Sequence, residues 1–200
     1  MARARHGPAP EGAGSPLSTA DVQRAMRGDH DAYAALVTAA TSRLYAVAAL
    51  ILRDPDRAED AVQDAFVRAW RELPRLRDAD RFDAWLRRLV INACYDDLRR
   101  VNRRAEISLF SIADRSVIDS SAASDESDRV ARAFRQLPLD QRTVLVLQHY
   151  ESLSHTEIAE TLGIPVGTVK SRVRYGVAAM RAALDADDRS AARPGGRRTA

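Results

Sequence analysis

The segment Ser154-His-Thr-Glu-Ile-Ala-Glu-Thr-Leu-Gly-Ile-Pro-Val-Gly-Thr-Val-Lys-Ser-Arg-Val173 carries the most specific chemistry in the chain. It has the form of a helix-turn-helix: a short first helix, a tight turn at Gly163, and a second helix with one face left free. Ile158, Ala159 and Leu162 supply the packed face of the first helix. At about 100° per residue, Val169, Val173, Val177, Met180 and Leu184 share an arc of about 80° on the second. Thr168, Ser171 and Tyr175 lie opposite, flanked by Arg172 and Arg174, with Lys170 beside them. These donors suit phosphates and base edges in a major groove. The competing reading is an ordinary helix pair with a solvated basic face.

A second pattern lies upstream. Arg81, Trp85, Arg88, Asn92, Tyr95, Arg99 and Arg103 fall within about 80° of one another on one helix. Arginine follows a phosphate backbone, aromatic rings stack on exposed bases, and an amide reads a base edge, so the stripe suits single-stranded nucleic acid. Phe82, Leu86, Leu89, Val90 and Ala93 form a separate apolar arc. The plainer alternative is a solvated Arg face with Trp85 half-buried. A third pattern has the opposite sign. Asp56, Glu59, Asp60 and Gln63 share the exposed face of the preceding helix, with Asp64 at its margin. Such a face repels DNA and belongs against protein or water.

The elements that must position these groups are all helical. Residues 1–17, rich in Ala, Gly, Pro and Arg, read as a disordered tail. Ser18 opens a short helix that ends at Gly28, and Asp29 caps a long one. That helix repeats apolar residues at Tyr33, Leu36, Val37, Ala40, Leu44, Val47, Ala48 and Ile51. Asp54-Pro55 starts a third helix, burying Ala58, Val62, Ala65, Phe66, Ala69 and Leu73, and Pro74 stops it. Asp80 is the expected cap of a fourth, running to about Arg103. Residues 105–128 lose periodicity and read as a flexible linker. Helices then follow over Val130–Gln136, Asp140–Tyr150, Ser154–Leu162 and Pro165 to about Leu184. The fold class expected is all-α: two small helical domains, 18–104 and 129–185, with a second disordered tail over 186–200.

Charge follows this division. Residues 81–104 hold seven Arg against three Asp, residues 105–128 one Arg against six acids, and residues 165–184 four bases and no acid. Two basic segments therefore flank an acidic linker, although the net charge is only +3. No uninterrupted apolar run approaches the roughly 18 residues of a membrane span, and no apolar core follows the basic N-terminus. No membrane insertion is expected. The single cysteine, Cys94, excludes an internal disulfide framework and fits a cytoplasmic setting. It reads as core, and His6, His30, His149 and His155 have no ligand spacing. No cofactor, metal site or catalytic residue is expected.

Taken together, residues 18–184 resemble the extracytoplasmic-function sigma factors of bacterial RNA polymerase. The motifs are Gly28-Asp29, Leu52-Arg-Asp-Pro-Asp-Arg-Ala-Glu-Asp-Ala-Val-Gln-Asp-Ala-Phe-Val-Arg-Ala-Trp70, and Phe82-x-x-Trp-Leu-x-Arg-Leu-Val-x-Asn92. Leu137-Pro, Arg142 and Leu153-Ser-x-x-Glu-Ile-Ala-Glu-x-Leu-Gly-Ile-Pro-x-Gly-Thr-Val-Lys-Ser-Arg172 follow. The resemblance implies that Asp56, Glu59, Asp60, Gln63 and Asp64 dock on core polymerase. It implies that the Arg and aromatic stripe holds the melted −10 element, and that the loop Leu73–Arg81, with Arg77, takes up a flipped base. Thr168, Lys170, Ser171, Arg172, Arg174 and Tyr175 would read the −35 duplex. The acidic linker would enter the polymerase's RNA channel, and an anti-sigma factor would be a further partner. Two departures stand out. Tyr175-Gly176 replaces a common Arg-Ala pair and His155 a common aromatic, so the family's −35 preference does not carry over.

Two other functions remain open at this point. A plain helix-turn-helix repressor explains the C-terminal half and would bind duplex DNA tightly alone, but leaves the acidic helix and the Arg stripe without a role. A metal-dependent hydrolase built on the acidic cluster lacks a His partner, a Gly-rich phosphate loop and a nucleophile motif.

Overall fold

Local hydrogen bonds determine where the first helices begin. In the computed structural model, which describes residues 18–107 and 125–191, Ser18 Oγ accepts the amide of Asp21 and opens α1 (Thr19–Met26). Gly28 adopts φ 91°, a left-handed turn that favours glycine. Asp29 Oδ1 then accepts the Ala32 amide at 3.0 Å and starts α2 (His30–Leu52). That hydrogen bond, together with Arg24, holds the Asp29 carboxyl below its ordinary range. Pro55 is the first residue of α3 (Pro55–Glu72). Two 3-10 turns, Leu73–Arg75 and Ala79–Arg81, lead into α4 (Phe82–Ile107). The expected cap at Asp80 is displaced: Asp78 accepts the Asp80 amide and caps the second 3-10 turn, which runs straight into α4.

Helices α1 to α4 make up most of one compact unit. Its interior holds Val22, Leu36, Leu44, Val47, Ala58, Ala65, Leu73, Phe82, Leu86 and Val90, all buried. Each large apolar side chain removed from water contributes about 1.5–3 kcal/mol. By length and composition alone, α2 would suffice to cross a membrane. An uninterrupted-run criterion misses it because Thr, Ser and Arg punctuate the helix. Here Leu36, Ala40, Leu44, Val47 and Ala48 instead fill the interior of the unit.

The second unit contains α5 (Asp125–Arg135), α6 (Leu139–His149), α7 (His155–Leu162) and α8 (Val166–Ala191). Helix α8 packs against the other three. Ser154 and Glu157 form a reciprocal capping box at α7, and Gly163 closes that helix at φ 66°.

Helix ends encroach on the segments expected to be irregular. Helix α4 continues to Ile107, with no Gly or Pro to stop it. Helix α5 begins at Asp125, and its first-turn Glu126 and Asp128 suit the positive end of a helix dipole. Helix α8 continues to Ala191 instead of ending near Leu184, because Arg129 pairs with Asp188 and Arg132 with Asp187. The remainder of the linker, 108–124, and the tails 1–17 and 192–200 lie outside the described residues. Among the described residues there is no strand.

Candidate nucleic-acid interface

The stripe on α4 lies opposite that helix's buried side. Phe82, Leu86, Val90, Ala93 and Cys94 are buried. Arg81, Arg88, Asn92, Arg99 and Arg103 are exposed, and Tyr95 is partly so. Trp85 is half-buried, its ring 5.9 Å from that of Phe82, which leaves the rest of the indole open. Burial pushes the Cys94 thiol up to about 12.

The acids on α4 point toward other helices. Asp83 pairs with Arg43 of α2 and with Arg87 of its own helix. Asp97 pairs with Arg57 of α3 at 2.6 Å, and Asp96 with Arg68 at 3.5 Å. Asp96 also lies 3.6 Å from Arg99. The negative charge of α4 is thus matched largely by arginines from α2 and α3, while its own exposed arginines face outward. Arg77 and Arg81 sit on the loop before α4, both exposed, with Arg81 3.7 Å from Asp78.

On α3, Asp56, Glu59, Asp60, Gln63 and Asp64 are all exposed. Gln63 donates to Glu59 at 3.0 Å, and Asp64 lies 3.9 Å from Arg100. Sequence reasoning missed Val67, which is 50% exposed on this face. Its spacing is the signal: it lies four residues after Gln63 and seven after Asp60, one or two turns along the same side.

Helix α8 is turned about its axis relative to the expectation. Val169 is fully buried, but Val177 is 39% exposed and Gly176 is buried in its place. A Cβ on Gly176 would lie 3.0 Å from Leu145 Cδ1, so glycine permits a close approach to α6. This turn carries Arg172 toward α6, where it donates to Asp140 at 2.5 Å. Thr168 is only partly exposed, and its carbonyl accepts the Ser171 hydroxyl at 2.9 Å. Lys170, Arg174 and Tyr175 remain exposed and Ser171 partly so. Arg174 lies over the Tyr175 ring, 4.9 Å from its centroid, and donates to the phenol oxygen at 3.1 Å. Of the six residues expected here, Arg172 is tied to a neighbouring helix through Asp140. Among the described residues, no group of three or more His, Cys, Asp or Glu could hold a metal ion.

Residues 36–104 match the family Sigma-70 region 2, and residues 127–180 match Sigma-70, region 4. The ECF RNA polymerase sigma factor SigW of Bacillus subtilis is 31% identical over 176 residues, covering 82% of this chain and 94% of that protein. CnrH, solved in complex with the cytosolic domain of CnrY, superposes with a TM-score of 0.63 at 31% identity, covering 86% of this chain and 99% of that one. The sigma factor RpoE of Bartonella quintana, solved with the anti-sigma factor NepR, gives a TM-score of 0.65 at 26% identity, covering 76% and 95%.

Proposed function

The chain belongs to the extracytoplasmic-function sigma factors, which recognise promoters for RNA polymerase, and from that membership we propose how its faces divide the work. The acidic face of α3, with Asp56, Glu59, Asp60, Gln63 and Asp64, docks on core polymerase, and Val67 provides an apolar contact one turn beyond Gln63. The loop Leu73–Arg81, with Arg77 and Arg81, and the α4 stripe, with Trp85, Arg88, Asn92, Tyr95, Arg99 and Arg103, hold the unpaired −10 strand. On α8, Ser171, Arg174 and Tyr175 set base preference in the −35 duplex, while Lys170 holds phosphate and Thr168 lies at the edge of the contact. Arg172, tied to Asp140, acts mainly by fixing α8 against α6. The protein makes and breaks no bonds, and it works in the cytoplasm, where polymerase and chromosome meet.

One observation carries this proposal. The Arg and aromatic stripe lies opposite the buried arc of α4, while the acids of that helix pair with arginines of α2 and α3. Such a face attracts backbone phosphates and offers rings to unstacked bases. An anti-sigma factor is a second partner in the proposal, supported by likeness to a sigma factor solved with one.

Open-complex formation tests the reading. Holoenzyme carrying Trp85→Ala or Arg88→Ala binds the closed promoter nearly normally but melts it poorly, and a premelted −10 bubble restores part of the loss. Circular dichroism confirms that each variant is folded. Normal permanganate reactivity of promoter thymines with a folded variant would sink the assignment.

A further inference from the structure

Helix α1 lies outside the residues matched to Sigma-70 region 2, which begin at 36. It nevertheless packs against both 3-10 turns of the loop Leu73–Arg81. Val22 and Ala25, on its inner side, are 1% exposed, and Leu73 at the start of the loop is fully buried. At its N-terminal end, Thr19 Oγ1 donates to Asp80 Oδ1 at 2.9 Å, joining residues 61 apart in sequence. Within the loop, Asp78 Oδ1 accepts the Asp80 amide at 3.0 Å, and the Asp78 carboxylate lies 3.7 Å from Arg81 Nε. At the other end of α1, Arg24 Nε donates to Asp29 Oδ2 at 2.9 Å, the same carboxylate that caps α2. Helix α1 is therefore fixed to the start of α2 at one end and to the loop at the other.

We propose that α1 is a brace that holds the loop Leu73–Arg81 in its base-receiving shape, with Thr19 as a positioning residue. The inference rests on the assignment of that loop to the unpaired −10 strand. A loop ordered before binding loses less conformational freedom when a base enters it, so affinity for that base rises. The Thr19–Asp80 hydrogen bond fixes the second 3-10 turn, which carries Arg81 and is capped by Asp78, the residue after Arg77. Thr19 itself touches no DNA in this proposal; it acts through Asp80.

The test uses holoenzyme formed with full-length protein and selection on promoters randomised through the −10 element. Thr19→Val removes the hydroxyl and keeps the shape; Thr19→Ser keeps the hydroxyl. Thr19→Val is expected to lose about 3- to 10-fold of the preference at one −10 position, the scale of one ordinary, solvent-exposed hydrogen bond. The −35 preference and core affinity stay at wild-type values. Thr19→Ser retains the preference, and Val22→Ala, which loosens the packed side of α1, reproduces the loss. Arg77→Ala is the control for the loop itself. If Arg77→Ala alters −10 preference while Thr19→Val and Val22→Ala do not, the brace is refuted and the loop assignment stands. If all three leave the preference unchanged, the loop assignment fails and the brace with it. Equal losses in Thr19→Ser and Thr19→Val overturn the role of the hydroxyl.

Discussion

Gly176 offers a stability test in which two known effects oppose each other. Alanine is the better helix former, and Gly→Ala inside an exposed helix gains about 0.8–1 kcal/mol. At residue 176 the added Cβ would sit 3.0 Å from Leu145 Cδ1, and 3.4 Å from both Leu145 Cγ and Gln141 Cβ. Apolar carbons rest about 3.5–4.0 Å apart, so the Leu145 side chain must give by a few tenths of an ångström. Leu145 is 4% exposed, which leaves it little freedom to turn away. Overpacking of this kind costs about 1–3 kcal/mol. The net expectation for Gly176→Ala is a loss of about 1 kcal/mol. Gly167→Ala is the internal control: it lies on the same helix with nothing within 4 Å, so it should gain up to about 1 kcal/mol by propensity. Hydrogen exchange of α6 and α8 amides in the full-length chain, read by mass spectrometry, reports both changes. In the Gly176→Ala background, Leu145→Ala should cost about 1 kcal/mol less than in wild type, because the clash is relieved. If Gly176→Ala stabilises as much as Gly167→Ala does, the approach of α8 to α6 is not limited at residue 176. The orientation assigned to Arg172 and Arg174 then loses its physical basis.

Asp60→Arg combined with Asp64→Arg should weaken binding to core polymerase in a pull-down by charge reversal, and Val67→Ser should weaken it less without changing charge; unchanged binding by folded variants counts against the docking face. Tyr175→Ala should relax the −35 base preference set by Arg174 by about 0.5–1 kcal/mol in a randomised-promoter selection, because the ring that supports the guanidinium is gone. Tyr175→Phe keeps the ring and should retain most of the preference. Ser152 holds φ 56°, a left-handed conformation costing an L-residue about 1–2 kcal/mol, so Ser152→Gly should raise the melting temperature. Cys94, with its thiol pushed up to about 12 by burial, should resist thiol reagents at pH 8 until the chain unfolds. Above an ordinary thiol value of 9.0, the unfolded chain releases a proton that the folded chain keeps up to about 12. Stability should therefore fall with rising pH across that window, and Cys94→Ala should flatten the slope in alkaline urea melts.

Features fixed by neighbours in sequence were legible; those fixed by distant partners were not. The capping box of Ser154 and Glu157 and the Asp29 cap follow from side chains meeting amides three residues away, and the Gly163 turn from a positive φ that glycine adopts freely. The buried stripes of α2 and α3 follow from helical period alone. The start of α4 was misplaced because Asp78 and Asp80 are chemically alike, and packing of the loop against α1 decides which of them caps. Helix α8 was expected to stop early because its last turns are polar. Their partners, Arg129 and Arg132, lie more than fifty residues upstream. Val177 was placed inside because it is apolar, yet the smaller Gly176 lets α6 approach and turns Val177 outward.

The same distinction governs the candidate sites. A count of charge along residues 81–104 treats every arginine alike, but Arg87 is buried against Asp83 while Arg88 next to it is open. The count also subtracts Asp83, Asp96 and Asp97, whose charges are met by Arg43, Arg68 and Arg57 of other helices. Opposite charges held within about 4 Å largely cancel beyond a Debye length of about 8 Å. An approaching strand is therefore affected mainly by Arg81, Arg88, Arg99 and Arg103, with the first and third partly offset by Asp78 and Asp96. On α8 the correction runs the other way. Arg172 belongs to a run with no acid nearby in sequence, but Asp140, thirty-two residues upstream, claims it. An arginine's sequence position thus gives its charge, while the residue across the helix interface determines whether that charge is available to DNA.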